Sequence, residues 1–201
     1  DDIIQGPSTF QRVVTAAKDL SEAAIRDLIV ATVALKYTQS NSVCLAHSGQ
    51  VTGAGAGQQS RVHCTRLASN KSDLWFLRQH PRVLSLEFAR GLPRSERNNA
   101  IDLFFMDDLT PAEERAWEKS FRRLPKRLTR AEKQDWLAQV RGVALSSDAF
   151  FPFRDSIDRA SRSGVSYVAQ PGGSVNDADV IAACDEYGMV MSLTGIRLFH
   201  H

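Results

Sequence analysis

VALSSDAFFPFRDSIDRASRSGVSYVAQPGGSVNDADVIAACDEYGMVMSL, residues 143–193, is the stretch whose reading decides the fold. Val143-Ala144-Leu145 reads as a strand, and a helix follows near Ile157 to Ser161. Gly164-Val165-Ser166-Tyr167-Val168-Ala169 is a second strand, a helix covers Asp177 to Tyr187, and Met189-Val190-Met191-Ser192-Leu193 is a third strand. Short apolar runs alternating with helices predict an α/β protein with a mostly parallel sheet covered on both faces. In such a protein function collects at strand ends, where backbone N–H and C=O groups are left unpaired.

Towards the N-terminus the same alternation continues. From Ser21, a Ser at an N-cap position, Ile25, Leu28, Ile29 and Val33 recur at helical spacing up to Tyr37. Val43 to Ala46 and Gln50-Val51-Thr52 read as two strands about the turn His47-Ser48-Gly49. Gly53, Gly55 and Gly57 then lead into a helix through Arg61, Cys64 and Leu67. The middle of the chain is punctuated by Pro81, Pro93 and Pro111 and is densely charged from Glu113 to Arg141. Thr110-Pro111-Ala112-Glu113 and Thr129-Arg130-Ala131-Glu132 are both capping-box patterns, so two surface helices are predicted there. This region, at about 94–141, reads as a helical insertion in the α/β core.

Composition bounds the function. With 43% hydrophobic and 24% charged residues in 201, a folded core is expected. A net charge of +2 offers no global attraction to nucleic acid, so any anion site must be local. The basic cluster Arg122-Arg123-Leu124-Pro125-Lys126-Arg127 is either an RNA contact or a solvated connector. Cys44, Cys64 and Cys184 are odd in number and widely spaced, which suggests neither a zinc site nor a disulfide framework and fits reduced thiols in the cytosol. No apolar run has the length of a membrane span, and the opening Asp1-Asp2-Ile3-Ile4 lacks a signal-peptide pattern, reading as a cut edge within a longer chain.

Four segments carry candidate chemistry. In Thr38-Gln39-Ser40-Asn41-Ser42 the amide of Asn41 both donates and accepts, which suits a carboxamide, while Thr38, Ser40 and Ser42 offer oxygens to a cation; an ordinary helix end and turn is the plainer reading. The glycines of Gly53–Gly57 either approach a ligand or allow close helix–strand packing, and Arg61 just beyond them carries a planar fork for carboxamide or phosphate oxygens. Asp148 and Asp155 flank Phe150-Phe151-Pro152-Phe153, three rings that form either a wall for a flat heterocycle or a strand end packed into the core, with Asp155 as a helix cap. Gln170-Pro171-Gly172-Gly173-Ser174 follows a strand, with N–H groups expected to point outward or with Ser174 as a cap. His63 and Cys64 are adjacent on a helix, about a quarter-turn apart, and cannot serve each other as base and nucleophile.

Read together with Ile25-Arg26-Asp27-Leu28-Ile29-Val30 and Thr194-Gly195-Ile196-Arg197-Leu198-Phe199-His200-His201, these segments resemble the transformylase part of the bifunctional AICAR transformylase/IMP cyclohydrolase family. The resemblance runs in order over nearly the whole chain. It implies a C-terminal portion, residues 1–201, because the family's Lys-His catalytic dipeptide lies upstream and no such pair occurs here. It further implies a cytidine-deaminase-like three-layer α/β/α subdomain without the deaminase zinc. The implied activity is transfer of a formyl group from 10-formyltetrahydrofolate to AICAR in purine (IMP) biosynthesis, in a cytosolic homodimer. By resemblance Asn41, Arg61, Phe150 and Arg197 contact AICAR, with Asn41 supporting catalysis, and Val62, Asp155, Ser174 and Val175 contact folate. A potassium site is implied from Thr38, Ser40, Ser42, Asp148, Leu198 and His200. Neither nucleic acid nor membrane is expected as a partner, and the competing function is an isolated nucleotide- or RNA-binding module without catalysis.

Overall fold

Ser21 starts the first helix as its spacing predicts: its hydroxyl accepts the Ala24 N–H at 3.2 Å, and α1 runs Glu22–Leu35. The computed structural model describes residues 6–200; Asp1-Asp2-Ile3-Ile4 and His201 lie outside them. Ala24, Leu28, Ala31 and Leu35 form the buried stripe of α1 at three- and four-residue spacing. Asp27 is buried on the same helix, and its carboxylate accepts the N–H groups of Ser48 (2.8 Å) and Gly49 (2.7 Å), fixing the turn between β1 (Val43–His47) and β2 (Gln50–Gly55).

After β2 come α2 (Arg61–Leu77), α3 (Pro81–Leu84), α4 (Arg94–Phe104), α5 (Pro111–Glu118) and α6 (Arg130–Leu137). Then β3 (Val143–Ser147), α7 (Asp155–Ser161), β4 (Val165–Gln170), α8 (Asp177–Glu186) and β5 (Val190–Leu193) complete the alternation. The sheet order is β2-β1-β3-β4-β5. Here the expectation of a mostly parallel sheet needs correction at the level of ladders. β3–β4 and β4–β5 are parallel, but β1 pairs antiparallel with both β2 and β3, so the sheet is mixed. The cause is the tight hairpin turn at Ser48-Gly49, which can only join antiparallel neighbours and so reverses β1 against the other four strands.

α1 covers one face through Ala31 and Leu35 against Cys44 and Ala46, and through Leu28 against Ala144 and Ala169. On the other face α2 lies against β2 so closely that a β-carbon on Gly53 would overlap the carbonyl oxygen of Ala68, and one on Gly55 that of Cys64. These two glycines therefore belong to a strand that runs three residues beyond the expected Thr52, and their function is close packing. α7 joins the α2 layer through Arg159 and Ser163, which donate to the Asp73 carboxylate at 2.8 and 2.6 Å. The fold is an α/β/α sandwich. Its β5 edge is covered by the segment Arg12–Thr15, which donates Val14 N–H to Met191 and accepts Leu193 N–H at Arg12, both at 2.9 Å.

The chain divides into two compact units, residues 1–73 with 138–201, and residues 74–137. The second unit overlaps the expected insertion but begins about twenty residues before position 94. It has its own core of Leu77, Val83, Ala100, Phe104, Phe105, Trp117, Phe121 and Leu128. Both capping boxes form: Glu113 N–H donates to the Thr110 hydroxyl at 3.3 Å and Glu132 N–H to that of Thr129 at 3.2 Å.

Candidate functional site

Strand register brings the candidate residues to one edge. Val43 at the start of β1 pairs with Gly55 and Ser147 at the ends of β2 and β3, and Gln170 pairs with Leu193 at the ends of β4 and β5. The loops 36–42, 56–60, 148–154, 171–176 and 194–200 consequently leave the sheet on the same side, with Arg61 and Val62 opening α2 and Asp155 opening α7 beside them. That is the edge at which α/β folds assemble ligand sites.

Asp148, fully buried, is the centre of the cluster. One carboxylate oxygen accepts from the Arg61 guanidinium; the other accepts from the Ser40 hydroxyl (2.6 Å) and the Ser42 N–H (3.1 Å). Arg61 is only 6% exposed. Besides Asp148 it donates to the Ser42 carbonyl at 2.9 Å and, from Nη2, to Asn41 Oδ1 at 3.0 Å, while its buried Nε has no partner. A buried guanidinium and carboxylate are tolerable only as such a hydrogen-bonded pair. The C-terminal segment is tied to the same centre. Leu198 N–H donates to the Asp148 carbonyl (2.9 Å), His200 N–H to the Ser40 hydroxyl (2.8 Å), and Ser40 N–H to the His200 carbonyl (3.0 Å). The Thr38 hydroxyl reaches that of Ser42 at 2.9 Å. Thus Thr38, Ser40, Ser42, Asp148, Leu198 and His200, drawn from three separate stretches of sequence, form one oxygen-rich cluster. Its one carboxylate is already matched by Arg61, so what it offers a cation is chiefly neutral hydroxyl and carbonyl oxygen, a donor set suited to a large monovalent ion.

Asn41 is half-buried at the rim. Its Oδ1 takes the Arg61 proton and its Nδ2 donates one proton to the Gln58 carbonyl at 3.1 Å. The Cys64 thiol donates to the Asn41 carbonyl at 3.0 Å, and burial pushes that thiol up to about 11 despite the opposing pull of Arg61. Cys64 is therefore a structural donor and not a nucleophile at neutral pH.

The aromatic segment splits. Phe151 is fully buried, with its N–H donating to the buried Gln170 side chain at 2.7 Å, whereas Phe150 and Phe153 are exposed. The wall of three rings is thus two, because alternation along the loop sends the middle ring into the core. Asn176 Nδ2 donates to the Pro152 carbonyl at 2.8 Å, tying this loop to the one carrying Ser174 and the fully exposed Val175. Phe153 and Asn176 line a groove of about 580 Å³ with Arg154, Asp179, Ala182 and Glu186. Asp155 is the first residue of α7 and half-buried; Arg154, not Asp155, occupies the N-cap position. The N–H groups of Gly173 and Ser174 do not point outward as expected. They donate to the Asp177 carboxylate at 2.7 and 3.2 Å, an internal anion that the turn formed by Gly172 and Gly173 at positive φ wraps. Arg197 is exposed, with its guanidinium 4.9 Å over the Phe199 ring.

In the helical unit, two of the four basic residues of the cluster Arg122–Arg127 have partners within that unit, while Arg123 and Lys126 are exposed. Arg127 donates to the Leu103 carbonyl at 2.6 Å and that of Met106 at 2.9 Å near the end of α4, pairs with Glu114 at 2.8 Å and lies 3.9 Å over Trp117. Arg122 pairs with Glu87 at 2.8 Å. Gln170, Asn176 and Gln58 were not singled out as individual site residues from the sequence. Gln170 had a signal, a polar residue between a strand and Pro-Gly-Gly, but the partners of the others depend on which loops meet.

Residues 1–71 match the model of the AICARFT/IMPCHase bienzyme family. Over 200 residues, the whole of this chain, the sequence is 34% identical to the bifunctional purine biosynthesis protein PurH of Magnetococcus marinus, of whose length it spans 27%.

Proposed function

We propose that the chain is part of an AICAR formyltransferase acting in purine biosynthesis, in a parent protein that also carries IMP cyclohydrolase activity. Similarity to the bifunctional PurH supports the pathway. The observation that carries the transferase reading is the Asn41–Arg61–Asp148 network at the sheet edge, which holds one polar amide in a fixed orientation at the mouth of an otherwise buried cluster. In the reaction the exocyclic amine of AICAR attacks the formyl carbon, a new N–C bond forms, the bond from that carbon to N10 of the folate breaks, and the amine proton is passed on to N10. Asn41, with Arg61 behind it, orients and polarises the carboxamide; Phe150 lies against the imidazole and Arg197 meets the nucleotide's anionic end. Proton transfer falls to a Lys-His pair that this sequence does not contain. Val62, Asp155, Ser174 and Val175 take the folate side. The oxygen cluster around Asp148 holds a potassium ion that secures the C-terminal segment; the assembly is a cytosolic homodimer. The RNA-module reading is disfavoured because Arg122 and Arg127 already have partners within their own unit.

Calorimetric titration tests this reading. In the full-length parent protein, Arg197→Ala is expected to weaken AICAR binding at least about tenfold, as loss of a charge-assisted fork should, while 10-formyltetrahydrofolate binding stays within a few-fold. Arg197→Lys should recover part of the loss. AICAR affinity unchanged by Arg197→Ala in the folded parent protein rules the assignment out.

A further inference from the structure

Gln170, the last residue of β4, is fully buried among apolar neighbours on its own strand, Val168 and Ala169. Every polar group of its side chain has a partner. Oε1 accepts the Phe151 N–H at 2.7 Å, and Nε2 donates to Asp177 Oδ1 at 3.4 Å and to Met191 Sδ at 3.6 Å. Because the Phe151 N–H can only donate and the Asp177 carboxylate can only accept, the amide has one allowed orientation. The main-chain carbonyl of Gln170 accepts the Thr194 N–H at 2.8 Å, and that of Pro171 accepts the Gly195 N–H at 3.1 Å. Asp177 continues the series, since its Oδ2 accepts the N–H groups of Gly173 and Ser174. Three loops on the site side of the sheet, 148–154, 171–176 and 194–200, are thus joined through one buried glutamine and one carboxylate.

We infer that Gln170 is a positioning residue that couples the two sides of the site: through its amide and Asp177 it fixes the loop bearing Phe150 against the loop bearing Ser174 and Val175, so that a ligand held by one loop favours a ligand at the other. The inference rests on the reading of these loops as the AICAR and folate sides and adds how the two are kept in register. Formyl transfer needs the amine and the formyl carbon in contact, and a tie between the loops that hold them removes part of their independent freedom before either ligand arrives. A ligand that orders one loop orders the other with it, and the second ligand then meets a smaller ordering cost.

Hydrogen exchange of the ligand-free parent protein, followed on peptides covering 149–153 and 171–176, reads the tie itself. Gln170→Met keeps the length of the side chain and removes its donor and acceptor. Besides freeing the Phe151 N–H, it should speed exchange at Gly173 and Ser174, which Gln170 reaches only through Asp177. Asp177→Asn offers one acceptor oxygen in place of two, enough for Gln170 or for the turn but not both, and should speed exchange at Phe151. Effects confined to the loop next to each substitution overturn the proposal, and either variant suffices if the other fails to fold. Calorimetry reads the coupling. In the wild-type parent, saturating tetrahydrofolate, which has no formyl group to transfer, should tighten AICAR binding by at least about fivefold. A wild-type ratio near one, which needs no variant, overturns the proposal. Gln170→Met should bring the ratio to within about twofold while AICAR affinity without folate stays within about threefold of wild type. A residue that only supports the fold would lower stability or the number of competent sites and leave the ratio intact, and an intact ratio overturns the proposal too. If the wild-type parent binds neither AICAR nor tetrahydrofolate, the functional reading falls, and the exchange result decides whether Gln170 ties the loops.

Discussion

Three glycines near the site differ in what they can tolerate, and the difference separates packing from turn geometry. At Gly53 and Gly55 a methyl group would run into backbone carbonyls of α2, which cannot rotate aside, so either substitution to Ala must push the helix off the strand. Overpacking of this kind costs about 1–3 kcal/mol, read as a lowered urea midpoint. Gly57 has open space, with the nearest atom, Gln39 Oε1, at 3.8 Å, but its φ is +66°. Gly57→Ala should cost only about 1–2 kcal/mol, and Gly57→Asn less, because the strain there is conformational. If Gly55→Ala proves as harmless as Gly57→Asn, the close contact of β2 with α2 is wrong. Asp148→Asn belongs to the same scale. It leaves the Arg61 charge buried without its counter-ion and should destabilise by about 3–5 kcal/mol in chemical denaturation. With a potassium ion at the cluster, the loss should be larger in potassium than in a bulky organic cation; equal losses would assign Asp148 to the Arg61 pair alone.

At the scale of elements, α6 depends on a linked acid at its start. Glu132 accepts both terminal nitrogens of Arg82 and the Thr129 N–H, which together hold its carboxyl at about 2, below the ordinary 4.5, with the Arg82 bond the largest cause. Because the folded value is depressed, the stabilisation is fully present above about pH 4.5 and is lost as pH falls towards about 2. Helicity of the 74–137 unit should therefore decline over that window, and Glu132→Gln should flatten the decline. An unchanged acid profile would mean that the pair is broken in solution. Both capping boxes in this unit were legible in the sequence, since a cap depends on residues three apart and needs no tertiary partner.

Across the whole molecule, the three thiols report on the integrity of the sandwich. Burial pushes Cys44 and Cys184 up to about 12 and Cys64 to about 11, and all three are inaccessible. A disulfide-exchange reagent at pH 8 should find almost no reactive thiol in the native chain and three after unfolding, with protection of Cys44 and Cys184 lost together with β-sheet circular dichroism. One thiol reacting rapidly in the native state would show that its layer opens locally.

The alternation of strands and helices, the N-cap at Ser21, both capping boxes and the turn at Ser48-Gly49 were readable in the sequence, because each rests on residues near one another in the chain. The sheet edge as the place where candidate residues meet was readable too, since loops after parallel strands share one side. Tertiary structure alone decided the reversed β1, the extension of β2 through its glycines and the burial of Phe151 between two exposed rings. It also decided that Arg61 is spent on Asp148 and Asn41, and that the Gly173 and Ser174 N–H groups are taken by Asp177. Pairs such as Arg61 with Asp148, 87 residues apart, leave no periodic trace in sequence, because which polar groups meet is set by strand order and helix contact rather than by spacing along the chain.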